Sequence, residues 1–220
     1  MTAPSAGHKP SAEETVVEWF RRNGRVVTIA LAVVAVGAGA YWFYSRSVDI
    51  KNQNAEQALN TALQSIQAGN KALAMSDLQK VVSRYADTQS GIEAGLLMAQ
   101  LDFNDNKVND GVKLLEGLAS NGSAKLQLAS IYSLTGDGYM QAAKFADAAK
   151  AYQKAADATR SDLDKTYQMS KQARALALAG DTASAVSIWK KIADDPKAAG
   201  VGAEARVRLG ELEAKPEPKG

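Results

Sequence analysis

The sequence predicts an all-α protein: one hydrophobic span near the N-terminus, then a stack of about four helix-turn-helix repeats closed by a C-terminal capping helix. Three observations predict it. Residues 26–44 run for nineteen positions without a charge. Beyond Ser47, turn residues and small residues recur at a fixed interval of 37. The composition, with 41 alanines and only five prolines in 220 residues, favours helix over strand. None of the prolines falls inside a predicted helix.

Composition also excludes whole classes of chemistry. A formal net charge of +2 leaves no large field to recruit nucleic acid, so no nucleic-acid partner is expected. The absence of cysteine removes disulfides, thiolate catalysis, cysteine-ligated metals and a cysteine-linked lipid anchor. The single histidine, His8, lies in a Pro/Ser/Gly-rich stretch and reads as solvated. No G-x-S-x-G, phosphate loop or H-E-x-x-H occurs. Asp102, Asp105 and Asp110 lie close enough in sequence to suggest a cation site, but they read better as a charged turn. The chain is therefore expected not to be an enzyme, with no catalytic residues, metal or cofactor.

Taken in order, residues 1–12 read as a disordered tail. Ser11-Ala12-Glu13-Glu14 has the S-x-x-E form of a capping box, followed by Val16, Val17, Trp19 and Phe20 and then the helix stop Asn23-Gly24. That pattern predicts a short amphipathic cytoplasmic helix over 13–24. The span 26–44 is about 28 Å long as a helix, close to the hydrocarbon thickness of a bilayer. Its anchor residues are Val26, Ile29, Leu31 and Val34, with an aromatic belt of Tyr41, Trp42, Phe43 and Tyr44 at the far end. Ala38-Gly39-Ala40 resembles a signal-peptide cleavage site. The long preceding region with Glu13, Glu14 and Glu18 instead favours an uncleaved anchor. Gly37 and Gly39, with Ala35, form a weak small-xxx-small face. Arg21, Arg22 and Arg25 on the near side outweigh Arg46 and Lys51 on the far side, which places the N-terminus in the cytoplasm and the rest outside. Neither Gly nor Pro occurs from Ser45 to Asn54, so the span is expected to run directly into the first repeat helix and to hold the repeats near the bilayer.

The repeat domain is expected over 48–214, with units at about 52–88, 89–125, 126–162 and 163–197 and a capping helix at 197–214. Turn slots fall at Gly69, Asn106, Ala143 and Gly180, 37 residues apart. Five residues after each slot stand Ala74, Gly111, Ala148 and Ala185. Seven before each stand Ala62, Ala99, Gly136 and Ala173, and one further period gives Gly210. Nine and twelve after the slots come apolar residues, all but Ala155 larger: Leu78, Leu115, Tyr152 and Trp189, then Val81, Leu118, Ala155 and Ile192. Two antiparallel helices cross closely only where both carry small side chains, and the larger residues then fill the layer between units. Thr135-Gly136-Asp137-Gly138 is the awkward segment, expected to kink the first helix of the third unit. Residues 215–220 read as a disordered tail.

This pattern resembles the tetratricopeptide repeat. The third unit carries it best, in Tyr132, Gly136, Tyr139, Ala148, Tyr152 and Ala155; the fourth adds Gly180-Asp181, Ala185, Trp189 and Pro196. The family period is about 34, so each unit here is about three residues longer. The resemblance implies a concave protein-binding groove made by the first helices. On those faces stand Leu59, Leu63 and Ile66, then Leu96, Gln100 and Phe103, then Ser133, Asp137 and Met140, then Tyr167, Ser170 and Arg174. The groove is expected to be apolar in the first unit and more polar later, and it lacks the Lys/Asn/Arg set of a carboxylate clamp. For Leu59, Leu63, Ile66 and Phe103, helical spacing favours core over a ligand groove.

The full layout resembles the YfgM-like ancillary subunit family of the SecYEG translocon. The segment EWFRRNGRVV, with Trp19, Phe20, Asn23 and Gly24, the single span and the aromatic exit at Tyr41-Trp42 carry the likeness. It implies a single-pass bacterial inner-membrane protein with a periplasmic repeat domain. Its role would be that of an adaptor or chaperone-associated component, with translocon subunits or a membrane-anchored chaperone as partners. The alternative is a structural scaffold of an envelope or division assembly that self-associates through its repeats as a homo-oligomer.

Overall fold

A computed structural model describes residues 19–214. The predicted tails at 1–12 and 215–220, and the part of the predicted amphipathic helix before Trp19, lie outside the described residues. Among the described residues the secondary structure is helical throughout, with no strand. Nine long helices follow one another there: α1 Gly24–Gln67, α2 Lys71–Arg84, α3 Gln89–Asn104, α4 Val108–Ala119, α5 Leu128–Gln141, α6 Phe145–Ala158, α7 Asp162–Leu178, α8 Thr182–Asp194 and α9 Ala199–Glu213. A single 3₁₀ turn, Gly122–Ala124, precedes α5.

The described residues through Ile50 form one compact unit. Residues 19–22 are helical and Asn23 breaks the run. Its Nδ2 donates to the Trp19 carbonyl at 2.9 Å, so the side chain satisfies a helix end as the chain enters α1. Trp19 and Phe20 meet edge to face, 5.3 Å between ring centroids. The part of α1 in this unit buries none of its apolar residues.

The second unit begins at Lys51 and holds the repeats. Here α1 starts to bury a face, through Ala55, Leu59, Ala62 and Ser65. First helices (the end of α1, then α3, α5 and α7) alternate with second helices (α2, α4, α6 and α8), and α9 packs on α8 and α7. The core runs through the stack as successive layers. Leu59, Leu78, Val81 and Met98 make the first, and Ile92, Phe103, Leu115, Leu118 and Ile131 the second. Ala148, Ala149, Tyr152 and Ala175 come next, and Trp189 and Ile192 seal the last against Ala198 and Ala205. Fully burying a side chain such as Leu78 or Leu115 contributes about 2 kcal/mol.

The turn slots explain the period. Gly69, Asn106, Ala143 and Gly180 are the described residues with positive φ, at 72°, 62°, 54° and 86°. The amide after each (Asn70, Lys107, Lys144 and Asp181) donates to the carbonyl five residues back, at 2.8–3.0 Å. The slot amide itself reaches the carbonyl three back, on Ile66, Phe103, Met140 or Ala177. This is the Schellman closure of a helix, made the same way four times. Each turn then feeds the next helix, and Asn70 and Asp181 also cap it by accepting from the amides of Leu73 and Ser184.

Small residues sit where the two helices of a unit cross. Ala62, Ala99, Gly136 and Ala173 are buried, and so are Ala74, Gly111, Ala148 and Ala185. Gly210, one period further on, is exposed, because α9 is the last described helix and no second helix crosses it. Thr135–Gly138 does not interrupt α5, which is assigned as one helix from Leu128 to Gln141. Close packing accounts for its glycines. A Cβ on Gly136 would stand 2.5 Å from the Tyr152 ring, and one on Gly138 would stand 2.5 Å from Phe103.

Ala143 carries the cost of a left-handed conformation that glycine adopts freely, about 1–2 kcal/mol. Ala143→Gly is therefore expected to stabilise the repeat domain by about 1 kcal/mol, and Gly180→Ala to destabilise it by a similar amount. Thermal unfolding of the full chain, followed by circular dichroism, checks both signs.

Candidate protein-binding cleft

The first helices α3, α5 and α7 frame a cleft of about 470 Å³. Gln100 enters from α3, Ser130, Ser133 and Asp137 from successive turns of α5, and Asp164, Tyr167 and Gln168 from α7. The spacing 130, 133, 137 puts one stripe of α5 on the floor. Polar residues outnumber apolar ones in the lining, and Leu134 and Tyr167 are among its members.

One cation organises this face. Lys171, only 17 % exposed at its side chain, places Nζ 2.6 Å from the Asp137 carboxylate. The same ammonium donates to Ser133 Oγ at 3.2 Å and stands 4.8 Å from the centroid of the Tyr152 ring. The Tyr152 hydroxyl donates to Asp137 at 2.6 Å. Burial raises the Tyr152 phenol well above its ordinary range, and the hydrogen bond to the Asp137 carboxylate pushes it the same way. α5, α6 and α7 are thus tied together by one carboxylate with two donors. Elsewhere on the wall, the Gln168 side-chain oxygen is buried with no partner among the described residues.

The sequence-predicted groove residues divide. Gln100 and Tyr167 line the cleft, with Ser133 and Asp137 beside them. Leu59 and Phe103 belong to the core instead, being 5 % and 7 % exposed. Leu63, Ile66, Leu96 and Met140 are half-buried and pack against core clusters. Ser170 is buried, and Arg174 is exposed in an ion pair with Glu204 of α9. The expected apolar stretch in the first unit is therefore core packing, and the cleft is polar. Sequence reasoning missed Ser130, Asp164, Gln168 and Lys171. Ser130 and Lys171 lie three and four residues from Ser133 and Tyr167, so extending each stripe by one turn would have found them. Of the three aspartates read as a charged turn, Asp105 pairs with Lys71. Asp102 is buried, which raises its carboxyl pKa.

Helix pairs repeated around this cleft define a helical-repeat scaffold of the kind that generally binds other proteins. Residues 17–134 match the family model described as a tetratricopeptide repeat-like domain, and the chain belongs to that family. No curated protein matches the chain in sequence. Among solved structures it is similar to a putative kinesin light chain from Podosopora anserina with nearly identical TPR-like repeats. That match has a TM-score of 0.54 and 15% identity, over 71% of this chain and 84% of that one. A variant of the same protein aligns at a TM-score of 0.56 with 16% identity, over 71% and 84% of the two chains. The MamA protein aligns at 0.51 with 17% identity, over 78% of this chain and 82% of that one. At these identities the likeness shows the fold.

Removing Lys171 leaves the Asp137 carboxylate without its cation on a half-buried face. Lys171→Ala is expected to cost about 1–2 kcal/mol, discounted from a buried pair because Asp137 is 44 % exposed. Urea unfolding of the full chain measures it. Asp137→Ala should cost about 1–2 kcal/mol more on top of Lys171→Ala, because it also leaves the buried Tyr152 hydroxyl without its acceptor.

Proposed function

We propose that this protein is a single-pass adaptor of a bacterial inner membrane, with residues 26–44 in the bilayer, the N-terminus cytoplasmic and the repeat domain periplasmic. It works as an adaptor or chaperone-associated component at the protein translocon. The observation that carries the anchoring is exposure. Val26, Ile29, Leu31, Val34, Tyr41, Trp42, Phe43 and Tyr44 are 64–74 % exposed, in a helix long and apolar enough to cross a membrane. A soluble protein rarely leaves so large an apolar surface uncovered. Orientation is supported by Arg21, Arg22 and Arg25 on the near flank, all exposed. Partner binding is supported by the family, which generally serves protein–protein interaction, and by the polar cleft at Gln100, Asp137 and Tyr167. The translocon rests on the resemblance carried by EWFRRNGRVV and the single span.

Three measurements test this reading. Full-length chain should stay in the membrane pellet after alkaline carbonate, and added protease should digest the repeat domain in spheroplasts. Release by carbonate contradicts the anchor, and protection of the domain contradicts the orientation. A photo-crosslinker at Gln100 or Tyr167 should then yield adducts with translocon subunits or a membrane-anchored chaperone. Adducts with copies of the chain alone would favour the self-associating scaffold instead.

A further inference from the structure

The ninth helix leaves open a face that every earlier first helix covers. Ala203, Val207, Gly210 and Ala214 follow one another at helical spacing along α9, and all four are exposed. At successive steps of 37 residues, the same positions in α1, α3, α5 and α7 are all buried or half-buried. In α7 they are Thr166, Ser170, Ala173 and Ala177, and α8 packs on them through Ala185 and Trp189 beside Ala173. No second helix follows α9 among the described residues. The space this leaves is plain at Gly210, where an added Cβ would meet nothing within 4 Å, against 2.5 Å at its counterpart Gly136.

Charged groups on and against α9 carry both signs. Glu204 pairs with Arg174 of α7 and lies 3.7 Å from Arg208. Arg208 also holds Glu211 at 2.7 Å, and Glu213 stands 3.7 Å from Lys190 of α8. Arg206 has no carboxylate partner among the described residues and donates to the Ala193 carbonyl at 3.3 Å. Four cations thus stand against three carboxylates, a near balance that selects neither a strongly acidic nor a strongly basic partner. Selectivity lies in their order along the helix. Reversing α9 about the point between Leu209 and Gly210 carries Arg206 onto Glu213 and Arg208 onto Glu211. At 3.6 residues per turn, Arg206 and Glu213 flank one side of the open stripe, and Arg208 and Glu211 the other. In an antiparallel pair related by a two-fold axis, each flank meets the same flank of the other helix. Two α9 helices so paired bring opposite charges together on both sides.

We propose that α9 is a self-association helix: two copies of the chain pair antiparallel through it, crossing at Gly210. Each copy supplies the helix that the other's last unit lacks. The crossing repeats the arrangement inside a unit, where small residues face each other across antiparallel helices. Val207 of one copy enters the gap between Gly210 and Ala214 of the other. Arg206 meets the other copy's Glu213, and Arg208 its Glu211, each twice by symmetry. A single helix pair falls below the roughly 1,200 Å² of a standard interface, so the dimer is weak and reversible in solution. The pairing stands apart from the cleft at Gln100 and Tyr167. It joins two such clefts in one assembly and does not depend on what they bind.

The chain has no cysteine, so a single introduced thiol reports on its own surroundings. Gly210→Cys and Ala203→Cys each place one on the open face of the full chain, held in dodecyl maltoside micelles under mild copper-phenanthroline oxidation. In the antiparallel pair the two copies of position 210 adjoin, within disulfide reach, whereas those of position 203 stand roughly 20 Å apart. Gly210→Cys should therefore form a disulfide-linked dimer about tenfold faster than Ala203→Cys. Adding Arg206→Glu to Gly210→Cys should slow the crosslink about fivefold, and adding Glu213→Arg should do the same. Both together should restore it, a recovery that misfolding cannot produce. Equal rates at the two positions would mean a parallel pairing or contact made elsewhere, and a crosslink indifferent to the charge reversals would mean chance collision. Either result overturns the proposal, as does the absence of a crosslink at position 210.

Discussion

The fold depends on one backbone event repeated four times: a left-handed residue that closes the first helix of a unit and sends the chain back along it. At Gly69, Asn106, Ala143 and Gly180 the positive φ lets the next amide reach the carbonyl five residues earlier. The two helices are thereby set antiparallel with a fixed register. Because the register is fixed relative to the turn, the residue seven before it and the residue five after it always meet. Those positions must be small, and the side chains nine and twelve after the turn are always left to fill the layer between units. The 37-residue period is the sequence image of that geometry.

In the third unit one part of the pattern changes, and its neighbours change with it. Tyr152 occupies a position that is Leu in the first two units, and its ring needs the space that a Cβ on Gly136 would take. A buried phenol must find a partner, and it finds Asp137, one residue along from the glycine that admits it. Asp137 in turn draws Lys171 from the next unit. A steric substitution in the core thus produces the polar tie that organises the face where the candidate cleft opens.

Much of this was legible in the sequence, and the failures have physical causes. Turns, small crossings and the large residues behind them were readable because each is a demand on residue type at a fixed spacing. Leu59 and Phe103 stood as groove candidates beside the core reading because a helix in a stack buries two faces, one on its own unit and one on the next. Apolar spacing cannot say which of those faces is left open. Gly136 and Gly138 read as the site of a kink because propensity counts only the backbone, whereas here Tyr152 and Phe103 make a side chain at either position costlier than the lost propensity.

Four matching helix closures set the register of the whole repeat domain. Native-state hydrogen exchange of the full chain in nanodiscs, resolved by residue with NMR, tests it most directly. The amides of Asn70, Lys107, Lys144 and Asp181 should exchange as slowly as those inside the flanking helices, since each is held by its bond to Ser65, Asp102, Tyr139 or Leu176. Exchange of these four at the rate of open loops, with the helices still protected, would contradict the account.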